Sequence, residues 1–137
     1  MAFKRRKKFQ LDTLIDEDMI IRGNTTLSGG IRVDGKIYGN LTVLGGEDGT
    51  LVMGENSVIK GNVIVHTAII GGKITGNIKC LDYLEVHSNA VIKGDIVYNL
   101  IELHAGAKID SKIKLLTKAE IKKEIKISKI NKEEKQK

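Results

Sequence analysis

Proline and tryptophan are absent from the 137 residues, one cysteine is present, and aromatic residues make up 4% of the chain. Each shortage excludes something. A single thiol, Cys80, supplies neither an intramolecular disulfide nor a Cys-rich zinc site, which fits a reducing compartment. So few aromatics exclude a core built on Phe and Trp. No apolar run approaches the ~20 residues that span a bilayer. The basic start lacks a following apolar segment, so no secretory signal is expected. The absence of proline leaves strand edges unblunted, which is permissive for strand-to-strand association.

What is present is a large supply of Ile, Val and Leu punctuated by fifteen Gly, the composition of short strands separated by bends. The net charge of +6 is unevenly spread. Lys4, Arg5, Arg6, Lys7 and Lys8 crowd the first ten residues, and eight Lys against four Glu occupy 117–137, so the body between them is mildly acidic. Attraction to an anionic partner is therefore a property of the tails.

The body repeats itself. "SVIKGNVIV" at 57–65 returns as "AVIKGDIVY" at 90–98. Taking the small residue of this phrase as an anchor gives Gly23, Gly39, Gly61, Gly76, Gly94 and Ser111, spaced by 16, 22, 15, 18 and 17 residues. Two before each anchor stands an unbroken column of Ile21, Ile37, Ile59, Ile74, Ile92 and Ile109. Two after it stand Thr25, Leu41, Val63, Ile78, Ile96 and Ile113, and four after it Leu27, Val43, Val65, Cys80, Tyr98 and Leu115. The intervening positions are mostly polar, with Asn24, Asn40, Asn62, Asn77 and Asp95 directly after the Gly. Alternation with period two is a strand with one buried face; a helical period cannot place these aliphatics on one side. A second strand precedes several anchors: "LVMGENSVI" (51–59), "LEVHSNAVI" (84–92) and "IELHAGAKI" (101–109) align without gaps.

Strand, bend, strand and return at roughly 17-residue intervals describe a β-coil whose turns stack about 4.8 Å apart. Ile then stacks on Ile inside, and Asn on Asn at the bends, where amides can hydrogen-bond along the column. Gly fits the tight corners. A β-sandwich also spaces short strands regularly, but it does not require a six-fold Ile column. The expected fold is all-β: a single-stranded β-helix of about five to six coils over 20–116, with a basic N-terminal tail and possible cap at 1–19 and a Lys-rich tail at 117–137. The stretch "LGGEDG" (44–49) reads as a protruding loop without phosphate-binding logic.

Such a coil has two open ends, each with unpaired backbone groups and a bare slice of core. Neither "QLDTLIDEDM" nor the Lys-rich tail looks like a well-made cap, although "LDTLI" can partly cover the first end. Burying each end against another copy is the economical solution, and a translational contact that does not close makes a filament. Ile21, Thr25 and Leu27 at one end and Ile109, Ile113 and Leu115 at the other are the candidate assembly residues.

The repeated "I-x-G-x-I/V-x-V" strands, the turn length and the polar tails resemble the bactofilins, a family of bacterial polymer-forming cytoskeletal proteins, over roughly 20–116. The resemblance implies a right-handed, three-sided β-helix that self-assembles end to end without nucleotide. It further implies a cytoplasmic scaffold at the inner face of the cell membrane, supporting cell shape or envelope organisation beside other envelope proteins. It implies no cofactor, metal or catalytic residue.

The cluster Lys4 to Lys8, flanked by Phe3 and Phe9, suits an anionic membrane surface, each cation gaining ~1 kcal/mol there while the rings insert shallowly. The bland alternative is a solvated disordered tail. Nucleic-acid binding would need stacking aromatics and a basic face on the body, and is not expected. The tail 117–137 reads as a weak helix or disorder, with Ile121, Ile125, Ile127 and Ile130 as a possible docking strip.

The rival reading is a left-handed hexapeptide-repeat enzyme, acyltransferase-like or metal-dependent and trimeric. Spacings from 15 to 22 break the strict six-residue rhythm such enzymes keep. Of His66, His87 and His104, the last two are seventeen residues apart at equivalent positions and should stack on an outer face. A shared metal needs a third ligand, which the repeat alignment does not display. Cys80 falls in an inward column as a small hydrophobe, and Tyr98 in the same column marks a local widening or a slip in register.

Overall fold

The computed structural model describes residues 11–45, 49–117 and 119. Its strands group in threes. The first turn comprises β1 (Thr13–Ile15), β2 (Ile20–Arg22) and β3 (Thr25–Ser28); the second β4 (Gly30–Val33), β5 (Lys36–Tyr38) and β6 (Leu41–Leu44). The third holds β7 (Thr50–Met53), β8 (Val58–Lys60) and the start of β9 (Val63–Ile70). The fourth takes the rest of β9, β10 (Lys73–Thr75) and the start of β11 (Ile78–Val86). The fifth takes the rest of β11, β12 (Val91–Lys93) and the start of β13 (Ile96–Leu103), and the sixth ends in β14 (Lys108–Asp110) and β15 (Ile113–Leu115). Every pairing joins equivalent strands of neighbouring turns, and all are parallel. The result is a three-walled parallel β-solenoid of about six turns.

The Ile column is a register fact. Ile21 pairs with Ile37, Ile37 with Ile59, Ile59 with Ile74, Ile74 with Ile92 and Ile92 with Ile109. The next wall stacks Thr25, Leu41, Val63, Ile78, Ile96 and Ile113 in the same way. Ile37, Ile59, Ile74 and Ile92 are 0–1% exposed. Each such side chain removed from water is worth about 1.5–3 kcal/mol, which is how a chain so poor in aromatics sustains a continuous core.

The third wall stacks Ile15, Val33, Met53, Ile70, Val86 and Leu103. "LDTLI" is therefore part of the first turn: β1 pairs with β4, Ile15 is buried, and the solenoid begins seven residues before the expected start at 20. Tyr98 keeps register, pairing Cys80 and Leu115. The irregularity sits one turn earlier, between Cys80 and Tyr83, where β11 carries one more residue than its neighbours on both sides. The buried Cys80 thiol fills that corner, its Sγ 3.1 Å from the Tyr83 carbonyl oxygen. Burial pushes the thiol up to about 12, the environment of a packed side chain and not of a nucleophile.

The Gly and Asn columns hold the corner between the first two walls. Gly61 has φ +154°, and a Cβ there would collide with the carbonyl oxygen of Gly39 in the turn below. Beside it, each Asn Oδ1 accepts the backbone N–H of the equivalent residue one turn on: Asn24 from Asn40 (2.9 Å), Asn40 from Asn62 (2.9 Å), Asn62 from Asn77 (3.0 Å) and Asn77 from Asp95 (2.9 Å). The ladder runs from side chain to backbone, so it satisfies corner N–H groups that the sheets on either side leave out. Residues 46–48 of the expected protruding loop lie outside the described residues.

Candidate functional site: the open ends and the outer wall

The two ends differ. In the last turn the inward residues have no rung above them among the described residues. Leu103 is 47% exposed, Ile113 42% and Leu115 58%, while Ile109 and Ile101 are only half-buried. These five side chains are the truncated tops of the columns that are dry in the middle of the stem. In the first turn Ile21, Thr25 and Leu27 are half-buried, and the third wall opens with polar Thr13 ahead of the buried Ile15. The inward columns are thus more exposed at the C-terminal end, while Leu11, Leu14, Met19 and Ile20 are the exposed apolar residues of the first turn. Leu103 and Ile101 share the C-terminal face and were not among the candidate assembly residues read from the sequence. The signal for them lay in the gapless alignment of "IELHAGAKI" with the two buried strings.

On the outside of the third wall, between the fifth and sixth turns, a polar cluster forms. Glu85 pairs in register with Glu102, and Tyr83 lies beside them. The Tyr83 hydroxyl donates to Glu85 Oε1 at 2.6 Å and also faces Glu102 Oε2. His87 Nε2 is 2.6 Å from Glu85 Oε2, and His104 Nε2 is 3.9 Å from the same oxygen and 3.9 Å from Glu102 Oε1. The two imidazoles stack with ring centroids 4.8 Å apart, as equivalent positions in adjacent coils should. Hydrogen bonds from Tyr83 and then His87 hold the Glu85 carboxyl below its ordinary range. Desolvation and the two facing carboxylates hold the Tyr83 phenol above its own. The expectation that the stacked histidines lack a third ligand is corrected here. Glu85 stands two residues before His87, so period-two alternation puts both outside, and the strings "EVH" and "ELH" recur seventeen residues apart. One ligand atom from each of Glu85, His87 and His104 lies within 4.8 Å of the others. His66 is elsewhere, its Nδ1 3.9 Å from Asp82.

Phe3, Lys4, Arg5, Arg6, Lys7, Lys8 and Phe9 lie outside the described residues, as does most of 117–137. Among the described residues no helix is long and apolar enough to cross a membrane.

A parallel solenoid of stacked aliphatic rungs, open at its C-terminal face among the described residues, defines an assembly module. The sequence matches the bactofilin family, described as polymer-forming cytoskeletal, over residues 13–114, and the chain belongs to that family. It is 31% identical to bactofilin BacP of Myxococcus xanthus over 85 residues, covering 62% of this chain but 34% of that relative, so it spans about a third of BacP's length. It is 30% identical to bactofilin BacO of the same organism over 95 residues, covering 64% of this chain and 75% of BacO. The fold is similar to that of the Thermus thermophilus bactofilin solved by cryo-EM in double helical filaments. The TM-score is 0.68 at 21% identity, over 76% of this chain and 99% of that one.

Proposed function

We propose that this bactofilin polymerises end to end, without nucleotide, into filaments that act as a cytoskeletal scaffold. The observation that carries this reading is the top of the stem, bare among the described residues: Leu103, Ile113 and Leu115 continue columns whose middle members are dry, and another apolar rung completes them. The family's polymer-forming description and the filaments of the Thermus relative favour the same reading. At the first turn, Ile21, Thr25 and Leu27 supply the opposite contact. The scaffold is attached to the inner face of the cell membrane through Phe3, the five cations Lys4 to Lys8, and Phe9, and it supports cell shape or envelope organisation.

Electron microscopy and sedimentation of the purified chain, with no nucleotide or metal added, test the first part. Filaments are expected; discrete trimers would overturn it in favour of the acyltransferase-like assembly. Ile113→Lys places a charge on the open face at an exposed position, so polymers should shorten or vanish while circular dichroism is unchanged. Deletion of residues 2–9 tests the second part. It should abolish co-sedimentation with vesicles of anionic lipid and leave the polymers intact, and retained vesicle binding would refute the attachment.

A further inference from the structure

We propose that Glu85, His87 and His104 form a binding site for a divalent transition-metal ion, zinc fitting best, that ties the sixth turn of the solenoid to the fifth. The inference is independent of how the chain polymerises. Two imidazoles and one carboxylate are a ligand set that zinc favours, and an exposed position leaves water as the fourth ligand. The geometry is close to what the ion needs. Zinc–ligand bonds of about 2.0–2.1 Å in a tetrahedron place ligand atoms about 3.3 Å apart. The Glu85 oxygen stands 2.6 Å from one imidazole nitrogen and 3.9 Å from the other, bracketing that value. All three ligand atoms lie on one outer wall with the imidazoles 43% and 42% exposed, so small side-chain rotations suffice and no backbone need move.

The second, independent observation is a facing pair of carboxylates on adjacent turns. In-register stacking sets the Glu85 carboxylate against that of Glu102 on the next turn, a like-charge pair that costs stability. Among the described residues the hydroxyl proton facing both belongs to Tyr83, and it can be donated to one of them at a time. Elsewhere the stack avoids this problem with neutral amides, as the Asn column does. Here a cation on Glu85, His87 and His104 offsets the pair. Tyr83 then holds the free carboxylate oxygen of Glu85, the kind of outer contact that orients a metal ligand. Because His87 belongs to the fifth turn and His104 to the sixth, the ion acts as a clip across the last gap of the stem. It fixes the turn that carries Leu103, Ile113 and Leu115.

The test uses the full, untagged chain, stripped with chelator. Zinc ion alone is titrated by calorimetry, and cobalt(II) by visible absorption, which distinguishes a tetrahedral site from loosely held aqueous ion. One zinc per chain and a thermal midpoint that rises with zinc are expected. His104→Ala and Glu85→Gln should each weaken zinc binding by about tenfold or more, with an unchanged circular dichroism spectrum. Glu55→Gln, a surface carboxylate elsewhere, should bind as the parent does. Absence of saturable binding overturns the proposal, as does binding that survives in the His87→Ala, His104→Ala double variant. Half an ion per chain, lost on dilution, would place the metal between chains and overturn the clip. Should His104→Ala not fold, Glu85→Gln carries the same comparison.

Discussion

Ile74 and Ile109 are the same residue type in the same column of the same wall, and they live in different environments. Ile74 has Ile59 below it and Ile92 above, and it is sealed from water. Ile109 has Ile92 on one side only, and it is half-exposed. Nothing in the residues around them explains the difference. Position along the stack does: in a solenoid the hydrophobic effect is collected between turns, so each rung is as stable as its neighbours make it. The middle of the stem is therefore a folded core in the ordinary sense, while the last turn is a core cut open.

That contrast can be broken first at the Gly corner. Gly61→Ala directs a Cβ into the carbonyl oxygen of Gly39, backbone against backbone, and should cost more than about 4 kcal/mol in urea unfolding or prevent folding altogether. Gly23→Ala occupies the same corner in the first turn, where an added Cβ meets nothing within 4 Å. Its cost should be only the left-handed backbone penalty, about 1–2 kcal/mol. Equal costs at the two sites would show that the stack does not set the requirement.

A smaller contrast is expected in the Ile column. Ile74→Ala should lose about 2–5 kcal/mol, because the cavity lies between two rungs. Ile109→Ala, with one rung beneath it, should lose about half as much or less, measured at matched low protein concentration. Smaller again is the ladder. Asn62→Ala removes the acceptor of the Asn77 N–H and should cost about 1 kcal/mol. Asn62→Asp keeps an acceptor oxygen, as Asp95 does natively in that column, and should cost less.

The smallest pH-dependent effect is at Cys80, whose ionisation changes nothing at neutral pH, apart from the cavity that removing its buried sulfur leaves. The native chain keeps the Cys80 proton up to about 12, whereas an unfolded thiol loses it near its ordinary value of 9.0. Between these values the native state binds more protons than the unfolded one. This contribution is therefore whole below pH 9 and falls as pH rises toward 12. Cys80→Ala should flatten that alkaline slope of stability. Thiol reagents at neutral pH should label Cys80 only at the rate of unfolding, and fast labelling would mean the bulged corner opens on its own.

Two of the three walls were legible because they follow the Gly anchor at fixed distance, whatever the length of the rest of the turn. The third wall was legible only in part. Val33 precedes Ile37 by four residues and Ile70 precedes Ile74 by four, while Met53 precedes Ile59 by six. The corner made by Asp34 and Gly35, or by Gly71 and Gly72, is tighter than the one made by Gly54 to Ser57. Gapless alignment therefore found the strings with the longer corner and passed over β4. It also read β1 as a cap, although Ile15 stands six before Ile21 as the longer corner requires. The bulge after Cys80 went unseen for a related reason. One extra residue in β11 shifts the phase between walls without disturbing either wall's own pattern. Glu85 was overlooked beside His87 because attention to the inward columns treats outward residues as solvated.

The amino-acid sequence by itself determined that this chain is a β-coil, which aliphatics share a column and where the tight corners fall. All three follow from period-two alternation and from the one residue type that tolerates the corner. Tertiary structure alone decided how the walls lie against each other, which end is left bare, and that Glu85, His87 and His104 meet. Those are relations between turns, set by how many residues each corner spends. A repeat fixes what each rung contains, but only the stack fixes what each rung touches.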